Sequence, residues 1–492
     1  MARLALATLD RVPHAIARPR YRPQDVPVGI VHLGLGAFHR AHQAIATDDV
    51  LAEGGGNWGI CGVSLRSPGV RDRLAPQDGL YTAIERSPAG MRRRIVGSVR
   101  EVLCLAGERD AVLRRLASPE VAVVTLTVTE KGYCHRPSTG TLDFAHPAIV
   151  HDLAHPGAPV STLGVLVCAL GLRRASHGVP MTVVCCDNLP HNGALVASLA
   201  GEFAAARDAT LAAWIGREVA FPATMVDRIV PAATGADRDE NDAALGCDDL
   251  APVVHEPFMQ WVIEDRFAGK RPAWERAGAT LTADVEPWET MKLRMLNGTH
   301  SALAYLGCLA GHRYVHEVVA QPEFAAWARR YLEREVAPTL AVPPGADLAR
   351  YRESLLTRFA NPALGHRTSQ IAMDGSQKLP QRILATVRAN LARGRDVGFA
   401  ALAVAGWMRY VRGDDEAGRP IEVSDPLAPR FAAIASRCGS EPAAYARALL
   451  ALSEVFGDDL AREPRFVSAV SEWLATLCRE GAARAVAHAL NR

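Results

Sequence analysis

The run VAVVTLTV at residues 121–128 does most to narrow what this chain can fold into. It is continuous, β-branched and bounded by polar residues, and such a strand belongs inside a sheet covered on both faces. Residues 28–33, which end at Gly34, and residues 181–186 are similar short apolar runs. Residues 58–65, after the Gly54-Gly55-Gly56 turn, read as another strand. Helical stretches at about 38–51 and 161–176 lie between these runs. Alternation of this kind implies an α/β fold with a parallel, doubly wound sheet.

The character changes near Pro287. Ala/Leu/Arg-rich segments at 290–309, 323–335, 379–393, 399–412 and 442–456 then dominate, parted by clusters such as VPPG at 342–345. The pattern predicts a doubly wound α/β domain over residues 1–285 and a mainly α-helical domain over residues 286–492. Two domains suit 492 residues, more than one core usually holds. With 55 Lys and Arg against 53 Asp and Glu, the net charge of +2 offers no basic field for nucleic acid. No stretch approaches the ~20 apolar residues of a membrane span, and Asp10 interrupts an apolar start too short for a signal peptide. The ten cysteines form no CxxC pair, which suits free thiols in a reducing cytoplasm and no structural metal. The expectation is a cytoplasmic monomer acting on a small molecule.

Gly34 and Gly36 follow an apolar strand and open a helix. Gly34 would permit a tight turn, and Gly36 would let the backbone meet a pyrophosphate beside Ala37 and Phe38 at the helix start. His39 stands where GxGxxG has its third glycine, so an ordinary strand-to-helix turn is the competing account. The spacing of His39 and His42 can suit a metal, but no HExxH carboxylate or nearby cysteine completes a site. Two polar residues lining a cofactor cleft is the simpler reading. After the second strand come Arg66, Arg71 and Asp72, so chemistry alone leaves NAD and NADP both open.

The segment DVEPWETMKLRMLNGTH, residues 284–300, carries a possible reaction centre. On an α-helix His300 lies about 80° and Asn297 about 140° from Lys292. One face can then present an amine, an amide and an imidazole. Hydride transfer from an alcohol needs a base, which a desolvated lysine can be, and an amide can stabilise the alkoxide. An amphipathic helix whose lysine merely reaches solvent is the alternative. Gly298 in this helix signals close approach by a backbone or a ligand. Asn188 sits just past a strand end, the ligand edge of such sheets, where a turn role is equally good. His366, Arg367, Lys378 and Arg382 make a basic group fit for a polyhydroxylated or acidic substrate, or simply a solvated patch.

IVHLGLGAFHRAHQA, TLTVTEKGYC, CDNLPHNG, FPATMVDRIVPAAT, MKLRMLNGTHSALAYLG and DGSQKLP occur in that order. Together they resemble the mannitol dehydrogenase family, the polyol-specific long-chain dehydrogenases and reductases. The resemblance implies a Rossmann-type, NAD-binding first domain, a mostly helical second one, and metal-independent oxidation of a secondary alcohol to a 2-keto sugar. It makes Lys292 the general base, with Asn188 and Asn297 on the reacting oxygen. His300 would position the substrate and Lys378 would meet its distal hydroxyls or acid group. Asp227 and Arg228 fall in a shared motif without an assigned role. TVTEKGYC, DRIVPAAT, KLRMLNG, HRTSQIAMDGSQKLPQR and VAGWMRY look most like the fructuronate reductase (D-mannonate oxidoreductase) branch, while CDNLPHNG looks like the mannitol 2-dehydrogenase branch. Gln370 stands where mannitol enzymes commonly carry arginine, and Arg367 is the candidate to replace it or bind a carboxylate. Pro68-Gly69 also resembles the fructuronate branch, which mainly uses NAD, so NAD is expected and NADP stays open. The substrate expectation is a sugar acid, with a polyol second. A zinc-dependent alcohol dehydrogenase would need a ligand set that the sequence lacks, and a silent sugar-binding protein is opposed by the intact Lys292-Asn297-His300 set.

Overall fold

Six strands build the main sheet: β1 (Val28–Leu33), β2 (Gly59–Ser64), β3 (Val99–Cys104), β4 (Val123–Leu126), β5 (Met181–Cys185) and β6 (Val219–Ala220). All neighbours pair in parallel, in the spatial order 3-2-1-4-5-6. This is the doubly wound dinucleotide-binding order, with its switch point between β1 and β4. The computed structural model describes residues 2–136 and 139–492.

Burial explains why these segments are strands. Val31, Leu33, Val124, Leu126 and Val183 face one apolar layer, with Val112 and Leu116 from the helix Leu105–Ala117 and Val165 and Leu166 from Thr162–Ser176. Ile30, Ile60, Val123 and Val184 face the opposite layer, which holds Ala44, Ile45, Trp261 and Trp274. A strand buried on both faces reads as a continuous apolar run, the pattern seen in the sequence. The polypeptide before β1 is anchored too: Leu4, Val12 and Ile16 share a small core with Leu80, Ile95 and Leu245.

Two further three-stranded sheets join this unit. Thr224–Asp227 pairs antiparallel with Gln260–Glu264, which pairs in parallel with Thr280–Thr282. The hairpin Tyr81–Ser87 and Gly90–Val96 is extended by Val253–His255. The helix expected at 38–51 is two, α1 (Ala37–Ala41) and α2 (Gln43–Ala52), because His42 leaves helical geometry at φ −129°, ψ −90°.

The chain divides into two compact units, Met1–Val285 and Glu286–Arg492. The second is helical. Three of its segments wind as π-helix: Lys292–Gly298, Leu332–Val336 and Pro380–Leu384. No helix among the described residues is long and apolar enough to cross a membrane.

Candidate active site

In the first unit the site grows from the end of β1. Gly34 has φ +99°, and a Cβ there would stand 2.1 Å from the Thr127 carbonyl oxygen, so only glycine fits. The N–H groups of Gly34 and Leu35 both donate to the Val63 carbonyl, at 2.9 and 3.1 Å, tying the turn to β2. A Cβ on Gly36 would meet only the Gly34 carbonyl at 3.7 Å, so the start of α1 lies open to a ligand. Arg40 braces the turn from below, its Nε donating to the Gly36 carbonyl at 3.3 Å and its Nη1 to that of Ala251. Ala37 and Phe38 are half-buried in the first turn of α1.

His39, at the place of the third glycine, is fully buried, and its ring stacks on His32 of β1 at 3.4 Å. The His32 Nε2 meets the Gly34 carbonyl at 3.1 Å and its Nδ1 the Thr125 hydroxyl at 2.7 Å. A carbonyl can only accept, so Nε2 carries the proton and Nδ1 accepts from Thr125. Burial pushes His32 down to about 3 and holds His39 well below its ordinary value. Both rings are therefore neutral, and an imidazole stack does the helix-to-strand packing that a third glycine otherwise allows. His42 turns elsewhere, its Nε2 reaching the Gln260 carbonyl at 3.0 Å. The described residues contain no cluster of three or more His, Cys, Asp or Glu able to hold a metal.

An NAD pyrophosphate fits this turn, since Gly36 is open where the amides of α1 begin. Beyond β2, Arg66 is exposed, while Arg71 is engaged by Asp72 at 2.6 Å and Glu108 at 2.9 Å. The Ser64 hydroxyl at the strand end is buried without a partner among the described residues, a polar atom suited to a ribose.

Past β5 the loop carrying Asn188 is firmly held, though Asn188 itself is exposed. Asp187 accepts from the N–H groups of Val128 and Thr129, at 2.9 and 3.0 Å, and from the Tyr133 hydroxyl at 2.7 Å. Asn192 is a residue that sequence reasoning missed. Its buried amide donates to the carbonyls of Cys185, Asp187 and Thr224, at 3.1, 3.1 and 3.0 Å, and accepts from the Thr224 N–H at 2.9 Å. It thereby ties the loop to the strand that ends at the buried Asp227. Arg228 bonds the carbonyls of Ala41 at 2.7 Å and Glu256 at 3.1 Å, so it braces the end of α1.

In the second unit α3 (Glu286–Met291) runs into the π segment Lys292–Gly298 and on into α4 (Thr299–Leu309). This corrects the wheel drawn from an α-helix. A π-helix bonds residue i to i+5, so Lys292 and Asn297 are one hydrogen-bonded turn apart rather than on diverging faces. The segment ends in a close approach: a Cβ on Gly298 would stand 2.5 Å from the Arg382 carbonyl oxygen. Lys292 is 6% and His300 9% exposed, while Asn297 is half-buried.

The His300 ring stacks with Phe359 at 4.9 Å and with His366 at 5.4 Å. Its Nε2 is buried and has no hydrogen-bond partner among the described residues. Burial first, then His366, Arg382, Arg358 and Lys378, hold its pKa well below the usual value, so the ring is neutral. The Lys378 ammonium donates to the Met373 carbonyl at 2.6 Å and sits after a turn begun by Asp374 at φ +54°. Ser376 fastens that turn to Asp425 through its N–H at 2.8 Å and its hydroxyl at 2.6 Å. Arg367 and Gln370 are both exposed, on and just before the short helix Thr368–Ala372. Each unit thus holds one coherent constellation, an anion-accepting turn in the first and a buried amine, amide and imidazole in the second.

Residues 28–276 match the mannitol dehydrogenase Rossmann domain, and residues 284–478 match the mannitol dehydrogenase C-terminal domain. The D-mannonate oxidoreductase of Escherichia coli strain K12 is 46% identical, over 96% of this chain and 98% of that protein. The uncharacterized oxidoreductase YeiQ of the same strain is 48% identical, over 97% and 98%. Among solved structures, the Pseudomonas fluorescens mannitol 2-dehydrogenase in ternary complex with NAD and D-mannitol is 41% identical. It superposes with a TM-score of 0.87 over 100% of both chains.

Proposed function

This chain belongs to the mannitol dehydrogenase family, and from that premise we propose that it interconverts D-mannonate and D-fructuronate. It is an NAD-dependent oxidoreductase acting on sugar alcohols or sugar acids. When bound, NAD supplies the hydride acceptor for the carbon that bears the alcohol. The turn at Gly34 and Gly36 holds the pyrophosphate, with Ala37, Phe38 and Arg66 along the rest of the cofactor.

Lys292 takes the hydroxyl proton during oxidation and returns it to the carbonyl oxygen during reduction. Asn297, one π turn along, donates its amide to the oxygen as charge develops there, and Asn188 is assigned the same donation. His300 hydrogen-bonds a substrate hydroxyl through Nε2. Lys378, Arg367 and Gln370 are assigned the distal end of the sugar.

What carries the choice of a sugar acid is the charge around His300. The strongest electrostatic influences on that buried ring come from His366 and three cations, Arg382, Arg358 and Lys378. A cationic cluster with Arg358 buried and Arg382 and Lys378 half-buried favours an anionic ligand over a neutral one. The polyol reading, mannitol and fructose, is favoured instead by CDNLPHNG and by the likeness to the mannitol-bound enzyme. NADH oxidation with D-fructuronate and D-fructose side by side tests the choice. The acid is expected to have the higher kcat/KM, and a strong preference for fructose overturns the proposal.

A further inference from the structure

Of the cations that act on His300, Arg382 packs directly against the helix that carries the reacting groups. Its own backbone, in the π segment Pro380–Leu384, is the surface against which Gly298 is pressed. Its guanidinium Nη1 donates to the Ser301 hydroxyl at 3.1 Å, one residue beyond His300. Its charge reaches both the His300 ring and the buried Tyr305. The other basic side chains are placed differently. The Lys378 ammonium is fastened to the Met373 carbonyl, Arg358 is 6% exposed, and Arg367 stands exposed. Arg382 is half-buried, and the Ser301 hydroxyl it bonds is buried.

We infer that Arg382 reads the carboxylate of the substrate and sets the preference for a sugar acid over a neutral ketose. The inference rests on the sugar-acid reading proposed above. In a six-carbon aldonic acid oxidised at its fifth carbon, the carboxylate lies at the chain end remote from the reacting alcohol. The carboxylate keeps its charge throughout and takes no part in the proton or hydride transfer. A planar fork matches its two oxygens in a way that an ammonium does not. The bond to Ser301 fixes the plane of that fork, and the close contact at Gly298 ties its position to Lys292 and Asn297.

The test compares kcat/KM for D-fructuronate and D-fructose in the wild type and in Arg382→Gln, Arg382→Lys and Arg367→Gln. In Arg382→Gln the acid-to-neutral ratio is expected to fall about 100-fold, mainly through KM for the acid. Arg382→Lys keeps the charge but loses the fork, and should lie between Gln and wild type. It also covers the case in which Gln fails to fold, which thermal melting detects. An equal loss on both substrates overturns the inference, because it marks a merely structural role. So does a wild-type acid preference that survives Arg382→Gln but disappears in Arg367→Gln. A wild type that ignores D-fructuronate overturns the parent reading as well, and is recognised before any variant is measured.

Discussion

The turn at Gly34 and the helix at Lys292 reach their geometry by opposite routes. The first keeps to the ordinary rules of an α/β sheet: a strand stops, a glycine takes a left-handed φ, and backbone amides are left pointing outward. The second breaks the rules of an α-helix, winding i→i+5 up to the point where Gly298 meets the Arg382 carbonyl. A cofactor shared by many enzymes can be met by backbone that many sequences supply. A particular hydroxyl, by contrast, needs side chains in one register, and here tertiary contact sets that register.

The sharpest break between the two regions is Lys292→Ala. We expect turnover to fall roughly 10³-fold or more while NADH affinity stays within a few-fold, since the cofactor turn lies in the other unit. Loss of NADH binding, read by fluorescence titration, would contradict the assigned role. Gly34→Ala should act the other way. It forces a Cβ against the Thr127 carbonyl at positive φ, which costs roughly 2–4 kcal/mol and weakens NADH binding. Unchanged melting and cofactor affinity would refute it.

Gly298→Ala probes the second route. The added methyl must push the Pro380–Leu384 segment away, and we expect kcat to drop roughly 10- to 100-fold with NADH binding spared. A variant with wild-type kcat would show that this close contact is dispensable. The smallest effect concerns Glu335, whose carboxylate accepts the N–H groups of Phe399 and Ala400 at 2.7 and 2.8 Å. Burial pushes its pKa up to about 8. Its proton stays bound in the folded state where the unfolded chain has already released it. Its contribution is therefore complete below the ordinary carboxylate range and lost as pH rises through about 8. Glu335→Gln should flatten the decline in melting temperature between about pH 5 and pH 8.5 by a few degrees. An identical pH profile in the two proteins would rule this out.

Much of the fold was legible because its signals are local. The two-faced burial of β1, β4 and β5 appears directly as apolar runs, although the expected 121–128 shrinks to Val123–Leu126. Thr127 makes one more bond, its N–H to the Leu33 carbonyl at 3.0 Å, before the chain turns away. The π segments were not legible, since apolar periodicity does not distinguish i+4 from i+5 in KLRMLNG. Gly298 was the one local hint, and the carbonyl it packs against lies 84 residues on, at Arg382. The His32–His39 stack hid in the same way, because a missing glycine says nothing of what replaces it. Arg228 lay within a recognised motif, yet its task depends on the carbonyl of Ala41, distant in sequence.

Thr129 has φ +68° and ψ +161°, a region open in practice only to glycine. It is a β-branched residue, held there by the Asp187 carboxylate and by the Gly132 N–H on its carbonyl at 2.9 Å. Such a conformation costs about 1–3 kcal/mol, drawn from the stability of the whole unit. The strained residue therefore stands where one carboxylate joins the chain beyond β4 to the loop that carries Asn188, so a substitution at Thr129 or Asp187 is felt on both sides of that junction.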